Sequence, residues 1–153
     1  NGGGVCVVGA GSRFEMQGGT IGGSDDTAVN TAKSGGGVYV DTNGALAMSG
    51  SSLIDSNGVH VLGTITMEGG ARVIKEWVYL TSGTFITLTG DMTGAAPVAV
   101  IYPQNTSGGI KVLGGDPPLI PNNKAKFSVD IGGSAYPPPA SGSVKINDNG
   151  KLL

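Results

Sequence analysis

One short segment occurs four times along this chain, and its return restricts the fold more than any other feature does. NGGGVCV at 1–7 reappears as SGGGVYV at 34–40, as NGVHV at 57–61 and as EWVYL at 76–80. The leading apolar residues Val5, Val38, Val59 and Val78 lie 33, 21 and 19 residues apart. A second apolar strip follows each: Phe14-Glu15-Met16, Leu46-Ala47-Met48, Ile65-Thr66-Met67 and Ile86-Thr87-Leu88. A third follows again as Thr20-Ile21, Leu53-Ile54 and Val73-Ile74. A unit of about 20 residues that repeats short strand, turn, short strand cannot bury its apolar face alone, so it must stack on its neighbours.

Alternation within the strips predicts the geometry. Residues two apart on a strand share a face, so Val5 and Val7 point inward while Cys6 points out. Stacked units then carry inward ladders Val5/Val38/Val59/Val78, Val7/Val40/Val61/Leu80, Phe14/Leu46/Ile65/Ile86 and Met16/Met48/Met67/Leu88. The glycines Gly18-Gly19, Gly35-Gly36-Gly37 and Gly69-Gly70 fall between strips, where the chain turns sharply. The expected fold is an all-β, right-handed parallel β-helix, the handedness following the general rule for parallel crossovers. Asn43-Gly44 and Asn57-Gly58 also suit hairpin turns, so an antiparallel sandwich stays open as a second reading.

Two regions depart from the repeat. The segment 22–34 reads as an inserted loop between the first two coils. After Tyr102 the pattern dissolves among Pro103, Pro117-Pro118, Pro121 and Pro137-Pro138-Pro139, because proline donates nothing to a ladder. The expected division is β-helix over 1–102 and an irregular Pro/Gly-rich β region over 103–153 that caps one end. Strand-like pieces within the cap are Ile110–Leu113, Phe127–Ile131 and Val144–Ile146.

Composition removes several function classes. Glycine supplies 29 of 153 residues, well above the usual share of roughly 7%. A net charge of −2 with no run of Lys or Arg offers no footprint for nucleic acid. No apolar run approaches the ~18 residues that a membrane helix needs. Cys6 is the single cysteine, so no intramolecular disulfide forms.

The sequence assigns no catalytic, cofactor-binding or metal-binding residue. Asp25-Asp26, in the inserted segment, are the one adjacent acidic pair and carry no basic companion. They read as a solvated loop, with a polar role in carbohydrate binding as the rival. His60 is the sole histidine and sits in the outward column Cys6/Tyr39/His60/Tyr79. Tyr39, His60 and Tyr79 form a candidate surface column, able to stack on a sugar or partner, or simply on one another.

The stretch GGGVYVDTNGALAMSGSSLIDSNG at 35–58 resembles the Gly-rich repeats of bacterial surface proteins, notably those of spirochaetes. More loosely, residues 1–102 are similar to repeats of polymorphic outer-membrane proteins and autotransporter passengers. SVKINDNGKLL at 143–153 resembles the closing segment of the spirochaete proteins. The resemblance implies a bacterial surface or extracellular β-helix, non-enzymatic, used in adhesion or matrix structure. Because Asn1-Gly2-Gly3-Gly4 opens inside a repeat, the first coil is expected to present bare backbone groups. Such an edge would favour a homo-oligomer or filament through the solenoid ends, or contact with a host or matrix surface. The alternative expectation is a carbohydrate-binding or polysaccharide-degrading β-helix.

Overall fold

In the computed structural model, residues 1–23, 27, 29–131 and 144–153 are described. Fourteen short strands occur among them: β1 (Val5–Val7), β2 (Arg13–Met16), β3 (Thr20–Gly22), β4 (Val38–Val40), β5 (Ala45–Met48), β6 (Leu53–Asp55), β7 (Val59–Val61), β8 (Thr64–Gly69), β9 (Arg72–Ile74), β10 (Trp77–Leu80), β11 (Ile86–Met92), β12 (Ala99–Pro103), β13 (Leu113–Gly115) and β14 (Phe127–Val129). One helix, α1 (Leu119–Asn123), and a 3₁₀ turn at Lys124–Lys126 stand between β13 and β14. The protein is mostly β, and its sheets are parallel.

Three sheets share the strands in rotation. The orders are β1-β4-β7-β10-β12-β14, β2-β5-β8-β11-β13 and β3-β6-β9. Every pairing between named strands is parallel. The register joins like to like. Val5 faces Val38, Val38 faces Val59, and Val78 faces Val59. Met16 faces Met48, and Met48 faces Met67. In the third sheet Ile54 faces Ile21 on one side and Val73 on the other. The matching strip is therefore Arg72-Val73, one residue earlier than the alignment of Val73-Ile74 expects.

Burial follows this register. Val38, Val59, Val78, Met48 and Met67 are all at most 1% exposed. Each such side chain withdraws enough apolar surface to contribute roughly 1.5–3 kcal/mol. The first strand of each sheet is different: Val5, Phe14 and Ile21 are only half-buried against the same core. The ladders thus run out into solvent at β1, β2 and β3.

Close stacking, more than turn geometry alone, explains the glycines. A Cβ on Gly37 would stand 2.8 Å from the Asn57 Cβ and 3.0 Å from Ile54 Cγ2. Gly63 is tighter still, with backbone oxygens of Gly44 and Asp41 at 2.2 and 2.4 Å from the place of its missing Cβ. Asn57 closes the same corner from within. Buried to 1% exposure, it donates from Nδ2 to Asp55 O at 2.8 Å and accepts the Asn30 N–H at Oδ1, 2.9 Å away. The described part of segment 22–34 is therefore fastened at Asn30 to the corner where the third copy begins. Asp25 and Asp26 lie outside the described residues, as do Pro137-Pro138-Pro139.

Pairing does not stop at Tyr102. β12 pairs β10 and β14, and β13 pairs β11. Pro103 enters the ladder opposite Leu80, and the Gln104 N–H reaches Leu80 O at 2.8 Å just beyond it. A boundary at 102/103 therefore cuts through two sheets. The sequence expects no helix, yet α1 forms over Pro121 and packs against β11 and β13. Its last residue, Asn123, is 2% exposed and bonds Met92 N–H, Asp91 Oδ1 and Leu119 O. The expected strand Ile110–Leu113 is displaced to Leu113–Gly115, and Ile146 makes only an isolated antiparallel bridge to Leu152.

Residues 146–152 do cover one edge. The Gly150 carbonyl accepts both Val112 and Leu113 N–H groups, and Leu152 N–H donates to Ile110 O at 2.9 Å. The β13 side of the second sheet is thus closed over, while among the described residues no strand pairs with the free edges of β1, β2 or β3.

Candidate functional site

Three surfaces carry groups that could recognise something: the aromatic column, a polar groove and the open end. Register assembles the first. Cys6 faces Tyr39, Tyr39 faces His60, His60 faces Tyr79, and Tyr79 faces Tyr102. The column is therefore one residue longer than the sequence reading has it. Tyr102 is hard to see in the sequence because Pro103 stands where the earlier copies carry Val or Leu and reads as a stop.

Ring geometry shows what that column does. Tyr39 and His60 meet edge to face with centroids 5.6 Å apart and planes at 71°. His60 and Tyr79 repeat the arrangement at 4.6 Å and 73°. Tyr79 and Tyr102 lie 5.7 Å apart at 38°, and Trp77 and Tyr102 lie 6.4 Å apart at 52°. Edge-to-face contact is a favoured geometry for aromatic pairs, worth roughly 0.5–1.5 kcal/mol beyond area burial. These rings are spent largely on one another. Burial between the two tyrosines holds the His60 pKa below its ordinary value of 6.5 by disfavouring the charged form.

The polar groove lies on the outward face of β2, β5 and β8. Its volume is about 460 Å³, and Arg13, Glu15, Gln17, Ser49, Glu68 and Thr89 line it. Small residues floor it because Ala47 and Thr66 succeed Glu15 in register. Glu68 accepts from Thr89 Oγ1 at 2.9 Å, and Arg13 Nε pairs with Glu15 Oε1. A search for neighbouring acids along the chain misses Glu15 and Glu68, which are 53 residues apart. The available signal was positional: the register Met16/Met48/Met67 makes Gln17, Ser49 and Glu68 successive steps of the next column.

The open end gathers backbone rather than side-chain chemistry. On β2, the carbonyls of Ser12 and Met16 accept the Ala45 and Ser49 N–H groups. Successive residues on a strand aim their backbone groups to opposite sides, so Arg13 and Glu15 turn theirs to the free edge. Arg13 and Glu15 are about half exposed, at 51% and 52%. Phe14 stands between them, half-buried, on the core face.

Among the described residues no group of three or more His, Cys, Asp or Glu side chains could hold a metal ion. Cys6 is exposed and its thiol is free. No helix of the described residues is long and apolar enough to cross a membrane. Compared with models of known protein families, with curated proteins and with solved structures, the chain gives no match.

Proposed function

We propose that the chain is a short right-handed parallel β-helix that acts as a non-enzymatic structural or adhesive module at a bacterial surface or outside the cell. A chain that feeds three parallel sheets in rotation from β1 to β9 and then alternates between two of them, with like residues in register, is well described as a wound stack. The right hand follows from the chirality of parallel crossovers. The surface address rests on the resemblance of 35–58 and 143–153 to Gly-rich repeats of spirochaete surface proteins.

One observation carries the reading: like side chains stand in register through three parallel sheets, the construction of a repeating scaffold that acts through its surfaces. Strand edges left unpaired at the margins of such a stack recruit another chain. In this reading the module works by association through its solenoid ends, as a homo-oligomer or filament, or by gripping a matrix surface. Sedimentation and negative-stain electron microscopy of residues 1–153 across a concentration series test this. End-to-end oligomers are expected, and a monomer at every concentration would overturn self-association.

Carbohydrate binding is the second reading, and the polar groove favours it over the aromatic column. Hydroxyl, amide and carboxylate groups surround a small-residue floor there, whereas the column's rings already contact each other. A glycan array read with the Glu68→Ala variant beside the parent chain separates the two surfaces.

A further inference from the structure

We infer that the polar groove on the outward face of β2, β5 and β8 binds an amine-bearing carbohydrate, a chain of glucosamine-type units with free amino groups, and that Glu68 accepts the ammonium. The inference rests on the carbohydrate reading above and names the class of sugar.

Three observations lead to it. First, the groove holds a negative charge with no counter-charge. Among the described residues Arg13 is the only cation that lines it, and Arg13 already pairs with Glu15. Glu68 forms no ion pair among the described residues, and its Oε2 accepts only the Thr89 hydroxyl. An ammonium brings three donors together with the missing positive charge. Hydrogen bonds to an ionised partner are roughly twice as strong as neutral ones. A uronate or a sulfated sugar would instead meet like charge at this point.

Second, the carboxylate is positioned before any ligand arrives. Gly90 leaves open the space into which Glu68 leans: a Cβ there would stand 3.1 Å from Glu68 Oε2 and 3.3 Å from Glu68 Cβ. Thr89 Oγ1 holds the same oxygen at 2.9 Å. A side chain already settled in one arrangement loses less freedom on binding.

Third, the surroundings suit a sugar better than a peptide. An extended peptide draws its affinity from unpaired main-chain groups at a sheet edge. β5 lies between β2 and β8, and β8 lies between β5 and β11, so the main chain beneath the floor is already committed. Recognition therefore runs through side chains. Gln17, Ser49 and Glu68 succeed one another in a single column, stepping at the strand spacing of about 4.8 Å. With Thr66 and Thr89 they line the groove with an amide and hydroxyls that match the hydroxyl groups of a sugar ring. The volume of about 460 Å³ lies within the range of roughly 300–1,000 Å³ usual for small-molecule sites.

The experiment titrates residues 1–153 and the Glu68→Gln variant by calorimetry, at mildly acidic pH where the sugar amine is charged. The ligands are β-1,4-linked tetramers of glucosamine, N-acetylglucosamine and glucose, with tetralysine as the peptide amine. Glutamine keeps the size of the side chain and an acceptor for Thr89, and circular dichroism checks that the fold is retained. The parent is expected to bind the glucosamine tetramer at least about tenfold more tightly than the other two sugars. That preference should shrink as salt is added, and Glu68→Gln should bind all three sugars alike. Equal binding of the three sugars by the parent overturns amine recognition and leaves the carbohydrate reading standing. A preference that survives in Glu68→Gln overturns Glu68 as the acceptor. Tetralysine bound as tightly as the glucosamine tetramer overturns the assignment to a sugar, and a parent that binds none of the sugars overturns both readings of the groove.

Discussion

The indole Nε1 of Trp77 donates to Asp130 Oδ2 at 3.1 Å, joining β10 to the residue that follows β14. The two are 53 residues apart in sequence and span the width of three neighbouring strands, β10, β12 and β14. Asp130 is 4% exposed. A buried carboxylate depends on its donors, so this bond helps hold the last strand of the six-stranded sheet to the body of the stack.

Trp77→Phe keeps a ring beside Tyr102 and removes the donor. The expected loss is about 1–2 kcal/mol, which for a chain of this size lowers the melting midpoint by roughly 2–8 °C. Circular dichroism checks it, because the substitution deletes the only tryptophan fluorescence. An unchanged midpoint would show the bond to be dispensable.

Gly63 and Gly108 form a matched pair of substitutions. Alanine at 63 brings its Cβ to within 2.4 Å of two backbone oxygens of the neighbouring unit, whereas alanine at 108 meets nothing within 4 Å. Overpacking against backbone displaces the stacked turn at Asp41–Gly44, at a cost of about 2 kcal/mol or more. Gly108→Ala is expected to be neutral or slightly stabilising, by up to about 1 kcal/mol. Parallel urea titrations decide the matter, and equal effects at the two sites would refute the close-stacking account.

His60 makes stability depend on pH. Burial depresses its pKa in the folded state below the ordinary 6.5, so the unfolded chain takes up a proton first as pH falls. The associated stability is present above 6.5 and is lost as pH drops through the folded value. Glu76 acts with the opposite sign. Desolvation raises its pKa above 4.5, outweighing the backbone bond at Trp77 that lowers it, so its contribution is present below 4.5 and lost as pH rises through the folded value. Melting midpoints of the parent and of His60→Gln, followed from pH 8 to pH 5, should diverge below about 6.5, with only the parent falling through that window. Parallel curves would remove His60 as the cause.

The repeating half of the fold was legible because parallel strands in register put identical side chains on top of one another. Val38, Val59 and Val78 or Met16, Met48 and Met67 can be aligned by eye, and their alternation with Tyr39 or Ala47 assigns the faces. The later strands were harder to see for a physical reason. β12 and β14 pair through backbone groups that any residue supplies, so AVIYP and FSV need not resemble VYV. Pro103 looked like a stop, yet Gln104 supplies the hydrogen bond at the next position. The helix over Leu119–Asn123 was hidden by Pro121, which is tolerated within a first turn. The groove was harder to read for another reason: Glu15 and Glu68 come to line it together only through stacking, so the ladder Met16/Met48/Met67 must be placed before Gln17, Ser49 and Glu68 fall into one column.

The position of β1 at a sheet margin determines how the molecule would yield to tension. A pull on Asn1 loads the bonds between β1 and β4 one after another, in the manner of a zipper, instead of shearing whole strands together. Each winding would come away as a separate event and release its own length of chain. The freed lengths follow the distances between facing residues, from Val5 to Val38, Val38 to Val59 and Val59 to Val78. At about 3.5 Å per residue the first extension is roughly 115 Å and the next two close to ~70 Å. A module anchored at that margin would lengthen in unequal steps and keep its Trp77–Asp130 clasp until the end.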